Sequence, residues 1–427
     1  MKNFRWWPVI GLAAASVALS GCGGSGGDSS SSNVSLRVVN ATLTHASLDL
    51  LVNSASASTA IAADAVSTYV SPASGSVTLQ LNDAGSSTAL ATTVPTLAGG
   101  NHYTLLAYES GGAVKTLVLN EDFTLPATGV ATLRIVDAAT EAGKLDVYIT
   151  TNQCTDLTAI SPVNSFSTST TPLSFTQGAG SYNVCITALG SKTDLRASVP
   201  VTLAGQQVVS VVLTPASGGQ LLNGSVLVQQ GAYTAARNTN ARVRLASAVS
   251  GGARVSASAS NGKVIEPDPG SVAPAFGFYV LVPATSTLNI SVEGNSIAAP
   301  ATALKAGADS TLLVYTAAAG ATAVLLDDDN RLPTDPTTIK LRLINGVNGS
   351  AGTLTLTANT APVGINVARG AASGYATVAA SANPMNLTLT SSTNGTFPAN
   401  TSNTLNANGV YTVLAGGDIS APQLLIR

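Results

Sequence analysis

A short apolar strand with an arginine in second place recurs four times along the chain: Leu36-Arg37-Val38-Val39, Leu133-Arg134-Ile135-Val136, Val243-Arg244-Leu245-Ala246 and Leu341-Arg342-Leu343-Ile344. The arginines lie 97, 110 and 98 residues apart in a chain with only 19 Lys and Arg. That period is the length of one small β domain, and a repeat fixes domain number before any local propensity is weighed. Four units fit within 427 residues at the short end of ordinary domain size, each long enough to hold its own core.

Charged residues are 9% of the chain, against about 25% in an average soluble domain. Hydrophobic residues are 45%, so the chain has the apolar content that a disordered polymer lacks. The formal net charge of -2, with no Lys/Arg cluster, excludes a phosphate-neutralising nucleic-acid face. Forty glycines and 19 prolines punctuate alternating apolar segments, the pattern of short strands joined by turns. Alanine is abundant, but the Glu, Lys, Arg and Gln that cover the outer face of amphipathic helices are scarce. The expectation is an all-β chain.

The N-terminus has a basic start at Lys2 and Arg5, an apolar run from Trp6 to Leu19, then small residues. This is an export signal, too short to serve as a permanent membrane span. It ends in Leu19-Ser20-Gly21-Cys22, which resembles the lipobox of bacterial lipoproteins. That resemblance implies cleavage before Cys22 and acylation of Cys22, palmitate included. Two or more acyl chains, at about 0.8 kcal/mol per buried CH2, anchor a protein stably. Gly23 after the cysteine implies, by the habit of that family, the outer membrane. The 11 residues Gly23 to Asn33 form a Gly/Ser tether of roughly 17 to 20 Å. Its Gly23-Gly24-Ser25-Gly26-Gly27 matches a nucleophile elbow in letters only, since neither the strand before nor the helix after can form in this composition.

Each unit repeats further landmarks. A second strand follows the arginine strand (Leu48-Asp49-Leu50-Leu51, Leu145-Asp146-Val147-Tyr148, Val255-Ser256-Ala257, Leu354-Thr355-Leu356). A middle strand preceded by an aromatic (Tyr69, Phe175, Tyr279, Tyr375) alternates with the period of a half-buried strand, as in Met385, Leu387 and Leu389. A late strand follows a Gly- or Asn-ended turn, as at Leu97-Ala98-Gly99. About seven short strands in roughly 100 residues predict an immunoglobulin-like β-sandwich. The expected layout is a lipoprotein signal peptide over 1–21, the lipidated cysteine and tether over 22–33, and sandwiches over 34–126, 127–235, 236–333 and 334–427. A superperiod of 207 residues relates Leu36-Arg37 to Val243-Arg244, Leu125-Pro126 to Leu332-Pro333, and the exits Leu119-Asn120-Glu121-Asp122 and Leu326-Asp327-Asp328-Asp329. The array is therefore a duplicated pair.

The Leu-Arg-Val-Val-Asn-Ala opening at 36–41, Leu-Asp-Val-Tyr-Ile at 145–149, the Leu-Ala-Gly plus Tyr-Thr strand and the acidic exit resemble DUF4397, a family of bacterial secreted and lipid-anchored β domains. The Ser-Pro-Asp-Ala-Pro turn of that family is replaced here by residues 42–47 and 139–144, and the third and fourth units lack the aspartate of the second strand. The resemblance implies a fold and a surface location, and carries no catalytic residues.

Arg37 and Asp49 are twelve residues apart, as are Arg134 and Asp146, a spacing that predicts cross-strand ion pairs of scaffold type worth about 0.2 to 1 kcal/mol. Cys154 and Cys185, in an exported protein, predict a disulfide. His45 and His102 are the only histidines, too few for an evident triad or metal centre. Asp327, Asp328 and Asp329 are a weak calcium candidate, without the spacing of a calcium loop. No other metal, no cofactor and no nucleic-acid partner is expected. The functional expectation is a non-catalytic, lipid-anchored cell-envelope protein of structural, adhesive or protein-binding role, its partner an envelope or extracellular protein or polymer. A carbohydrate or surface-polymer module comes second and a secreted enzyme third.

Overall fold

On a strand, successive side chains point to opposite faces. Leu36 and Val38 therefore face one way and Arg37 and Val39 the other, and the fold must find a buried place for both sets. The computed structural model describes residues 33–167, 171–265, 272–349, 352–397 and 401–427. The export signal, Cys22 and the tether up to residue 32 lie outside the described residues.

The described chain is β throughout, with two short 3-10 turns at Thr140–Ala142 and Ser250–Gly252. No helix among the described residues is long and apolar enough to cross a membrane. It forms four tandem sandwiches of immunoglobulin-like architecture, each built on two main sheets, with a further two-stranded sheet of Gly75–Ser76 and Thr96–Leu97 in unit 1. The opening strands are Ser35–Asn40, Val130–Asp137, Asn240–Ala248 and Thr338–Asn345. Each pairs in parallel with the late strand of its own unit, His102–Ser110, Val208–Pro215, Asp309–Ala317 or Val410–Gly416. The register is the same in all four: the arginine stands beside a hydroxyl residue, Arg37 by Thr104, Arg134 by Ser210, Arg244 by Thr311 and Arg342 by Thr412. The late strand pairs on its other side with the last strand of the unit, such as Ala113–Asn120 or Gly320–Asp328. The second sheet is built on the second and middle strands, Ser47–Val52 with Leu79–Asp83 in unit 1 and Leu354–Ala358 with Met385–Ser391 in unit 4.

One apolar core fills the space between the two sheets of each unit. In unit 1 it includes Leu36, Val38, Leu48, Leu50, Leu79 and Leu81, and in unit 4 Leu341, Leu343, Leu354, Leu356, Leu387 and Leu389. The outward face of each arginine sheet is apolar too, and it is covered by the neighbouring unit. Val39, Leu106 and Leu119 of unit 1 meet Val136, Val212 and Leu227 of unit 2, and Ala246 and Leu313 of unit 3 meet Ile344 and Leu414 of unit 4. The units thus pack as two face-to-face pairs, which accounts for the 207-residue superperiod. In unit 2 an extra strand, Tyr233–Ala236, continues the arginine sheet, so the junction to unit 3 runs through Arg237–Thr239, past the residue 235 boundary expected from the sequence.

The two pairs also touch. The guanidinium of Arg237, between units 2 and 3, reaches back to Asp64 at 2.6 Å and to the Thr42 carbonyl at 2.8 Å, both in unit 1. The loop at Gly218 and Gly219 passes hard against unit 3: a Cβ on Gly218 collides with the Asp309 backbone, and one on Gly219, whose φ is +83°, collides with Arg331. Only glycine permits that approach.

Candidate functional site

The most chemically distinctive cluster is the set of arginines sealed between paired units. In the second pair, Arg244 and Arg342 come from facing sheets and grip each other's hydroxyls. Arg244 donates to Thr311 and Thr412, both at 2.9 Å, and Arg342 to the same two at 3.5 and 3.2 Å. One carboxylate, Asp328, with 0% side-chain exposure, serves both: it pairs with Arg342 in a short contact and with Arg244 at 3.4 Å, and accepts from Thr311 at 2.6 Å. The Tyr279 hydroxyl donates to Asp328 as well, while its ring lies 4.5 Å from the Arg244 guanidinium and that of Tyr375 lies 4.7 Å from Arg342. Burial, and after it the Asp328 charge, raises the pKa of Tyr279, so this phenol stays a neutral donor.

In the first pair the carboxylate is Glu121, at the position 207 residues before Asp328. Arg37 meets it with two parallel bonds of 3.0 and 2.8 Å, the geometry that suits a guanidinium best. The rest of Arg37 is satisfied by Thr104 at 3.0 Å and by the Gly231 and Val228 carbonyls of unit 2. Tyr69 donates to Glu121 at 3.1 Å, and the Gln230 amide does so from unit 2 at 2.5 Å. Arg134 is treated differently: it lies 3.8 Å over the Phe123 ring, finds no carboxylate among the described residues, and has its pKa lowered by burial.

A second polar cluster joins the pairs. Arg242 holds Asp309 through two bonds of 2.8 and 2.6 Å and reaches Asp194 of unit 2 at 3.4 Å. Arg196 shares Asp194 at 2.7 Å, and burial, with Arg242 next to it, lowers its pKa to about 10. Near the crossing of the units lie an open cleft of about 540 Å³ and a recess of about 300 Å³, both bordered by Glu141 and Arg331. In the cleft, burial pushes the Asp329 carboxyl up, but hydrogen bonds from Arg331 at 2.7 Å and Lys340 at 2.8 Å outweigh it and hold the pKa at about 2. In the recess, His45 Nδ1 lies 2.6 Å from Asp83 and its other nitrogen 3.8 Å from Glu109. No hydroxyl donates to the His45 ring among the described residues, so the pair lacks a nucleophile. His102 is tied to Asp122 at 3.0 Å.

The structure corrects two expectations about site residues. Arg37 does not pair with Asp49, nor Arg134 with Asp146, because the arginine and the aspartate stand in different sheets of the sandwich. Asp49 instead accepts the backbone amides of Ala60 and Gly85, and Asp146 accepts Ser165 and the Gly190 amide, so both pin turns of the second sheet. The calcium candidate is overturned by divergence: Asp327 pairs with Lys305, Asp328 with the two arginines, and Asp329 with Arg331 and Lys340. No group of metal-binding side chains occurs among the described residues. Cys154 and Cys185 form a disulfide, packed with Tyr148 and Leu157 on the outer face of the second sheet of unit 2.

Sequence reasoning named Glu121 and Asp328 only as an acidic exit and a calcium candidate and missed their pairing with the arginines, because each lies near the end of its unit, 84 residues after Arg37 and 84 after Arg244. The signal was present: the acidic exit recurs at the 207-residue period, and a tyrosine precedes the middle strand wherever the arginine has a carboxylate. In unit 2 that aromatic is Phe175, which packs into the core instead.

Residues 34–148, unit 1 and the start of unit 2, match a family described as "Domain of unknown function (DUF4397)". This part of the chain is a DUF4397 domain. No curated protein matches the chain. Among solved structures, it is similar to CBMbc (family CBM26) from Eubacterium rectale Amy13K, solved in complex with maltoheptaose. That similarity has 10% identity and a TM-score of 0.16, over 47% of this chain and 97% of that one. It is also similar to the Bacillus anthracis TIE protein, at 10% identity and a TM-score of 0.14, over 66% of this chain and 50% of that one.

Proposed function

We propose that the chain is a non-catalytic lipoprotein of the bacterial cell envelope, anchored in the outer membrane through acylated Cys22, whose four-unit body serves as a structural, adhesive or protein-binding element. The observation that carries this reading is the direction of the charged side chains. Arg37, Arg242, Arg244 and Arg342, with Glu121, Asp309 and Asp328, are turned inward, where they join strands and units. Groups of this kind at a catalytic centre would face a cleft that admits substrate. The test has two arms. Palmitate should label the chain and a Cys22→Ser variant should leave the outer-membrane fraction; a variant that stays there unlabelled refutes the anchor. A pulldown from native envelope with the mature chain should retain a specific protein, and hydrolase activity that survives purification would refute the non-catalytic role.

A second reading, binding of a neutral polysaccharide, has one supporting observation. A shallow recess of about 360 Å³ on the outer face of the second sheet in unit 3 is lined by Ser256, Ser258, Val264, Asn289, Ser291 and Ser296, among others, and holds no charged residue. Against it, none of the ten tyrosines is exposed, and Phe278, the exposed aromatic ring among the described residues, does not line this recess. Both tryptophans, Trp6 and Trp7, lie outside the described residues. Retardation in gels containing neutral glucans, abolished by Ser291→Arg, would favour this reading over the first.

A further inference from the structure

The opening strands of units 1, 2 and 4 end in equivalent inward-facing residues: Asn40, Asp137 and Asn345, each fully buried. In all three the side-chain oxygen accepts the amide two residues on, from Thr42 at 3.2 Å, Ala139 at 2.8 Å and Val347 at 3.1 Å. The asparagines use their other end to donate to the opposite sheet of the sandwich. Asn40 Nδ2 reaches the Ile61 carbonyl at 3.0 Å, and Asn345 Nδ2 the Val367 carbonyl at 2.9 Å. This bond is a staple between the sheets. Ile61 pairs with Leu48 and Val367 with Leu354, and at the same register in unit 2 Phe166 pairs with Leu145. Asp137 has no N–H to offer, and its Oδ2 is buried without a partner among the described residues.

We propose that Asp137 is a proton-operated version of this staple: protonated, it donates its O–H to the Phe166 carbonyl and closes the unit 2 sandwich, and deprotonated it leaves a buried charge facing a carbonyl oxygen. Charge and dipole then repel, so the end of the sandwich beside unit 1 loosens as the proton leaves. The surroundings agree. Burial raises the Asp137 pKa to about 6, opposed only by the Ala139 amide. The titratable groups that face this region are Tyr108 of unit 1 and Glu141 of the 3-10 turn, neither of them a cation; burial and, after it, the charges of Glu141 and Asp137 raise the tyrosine. A carboxyl whose folded pKa lies above its unfolded value of about 3.9 stabilises the fold below that value and loses the effect as pH rises to about 6. A shift of about two pH units corresponds to a change of about a hundredfold in the folding equilibrium across that window.

The test uses the whole exported chain. The infrared band of a protonated carboxyl should persist at pH 5 and vanish with a midpoint near 6, and should be missing in Asp137→Asn. Thermal unfolding of the wild type should drop between pH 5 and 7.5, whereas Asp137→Asn, with the amide already in place, should melt higher at pH 7.5 and show a flattened profile. A midpoint below 5 for the wild-type band overturns the proposal even if the variant does not fold, and so does a variant whose profile parallels the wild type.

Discussion

The two pairs are built on one plan and differ in how they neutralise their arginines. In the second pair, one aspartate, two threonines and two tyrosines serve both guanidinium groups, and the arrangement is nearly symmetric across the interface. In the first pair, Glu121 serves Arg37 alone, and Arg134 rests on Phe123. The apolar surroundings differ little at the matching places: Val39 stands where the second pair has Ala246, Leu106 and Leu119 match Leu313 and Leu326, and the second pair adds buried Phe276. What separates the interfaces is the sharing of one buried carboxylate by two guanidinium groups in the second. A buried ion pair adds little over an apolar contact of the same shape, but removing one partner leaves an uncompensated charge. The second pair should therefore be the more fragile to single substitutions.

That difference can be broken by mutation. Asp328→Asn strands two buried arginines, with an expected loss of about 3 to 5 kcal/mol in urea unfolding. Glu121→Gln strands one and should cost less; equal losses would erase the distinction between the pairs. Next in size, replacing Cys154 and Cys185 by serine opens a loop with a sequence separation of 31, at about 3 to 4 kcal/mol. The loss should fall on unit 2, and hydrogen exchange should show protection in units 3 and 4 unchanged. Gly219→Ala, forced to a positive φ against Arg331, should cost about 1 to 3 kcal/mol and loosen the contact between the pairs, read as faster proteolysis at residues 237–239. The smallest effect is expected at Arg134→Met, within about 1 kcal/mol of wild type or slightly stabilising, because no carboxylate is left behind. Arg37→Met, which orphans Glu121, should be several-fold more costly, and similar values for the two would contradict the reading of Arg134.

The arginine strand, the sandwich fold and the paired repeat were legible because they rest on local alternation and on period. Residues such as Leu387 and Leu389 announce a half-buried strand within five positions. The disulfide was legible because only two cysteines, Cys154 and Cys185, follow Cys22. The ion pairs were not, since a twelve-residue spacing suggests a hairpin, whereas the opening strand crosses to the other sheet and pairs with a strand near the end of its unit. Nor does any local pattern show that the outer face of Val39 and Arg37 meets a second unit. A strand with both faces apolar signals a doubly covered sheet, and that sign is weak over four residues. Asp137 carried no signal at all. Its meaning appears only beside Asn40 and Asn345.

The parallel pairing of opening and late strands also sets an order of events. Arg37 and Thr104 are 67 residues apart, as are Arg244 and Thr311, and Arg342 and Thr412 are 70 apart. Such long-range contacts must wait for loop closure, which slows folding. A chain that becomes available N-terminus first cannot close any unit until nearly all of that unit is present, and Arg37 must then wait for the Gly231 carbonyl, 194 residues downstream. Each odd-numbered unit therefore passes through a stage with an apolar, arginine-bearing sheet open to solvent until its partner arrives.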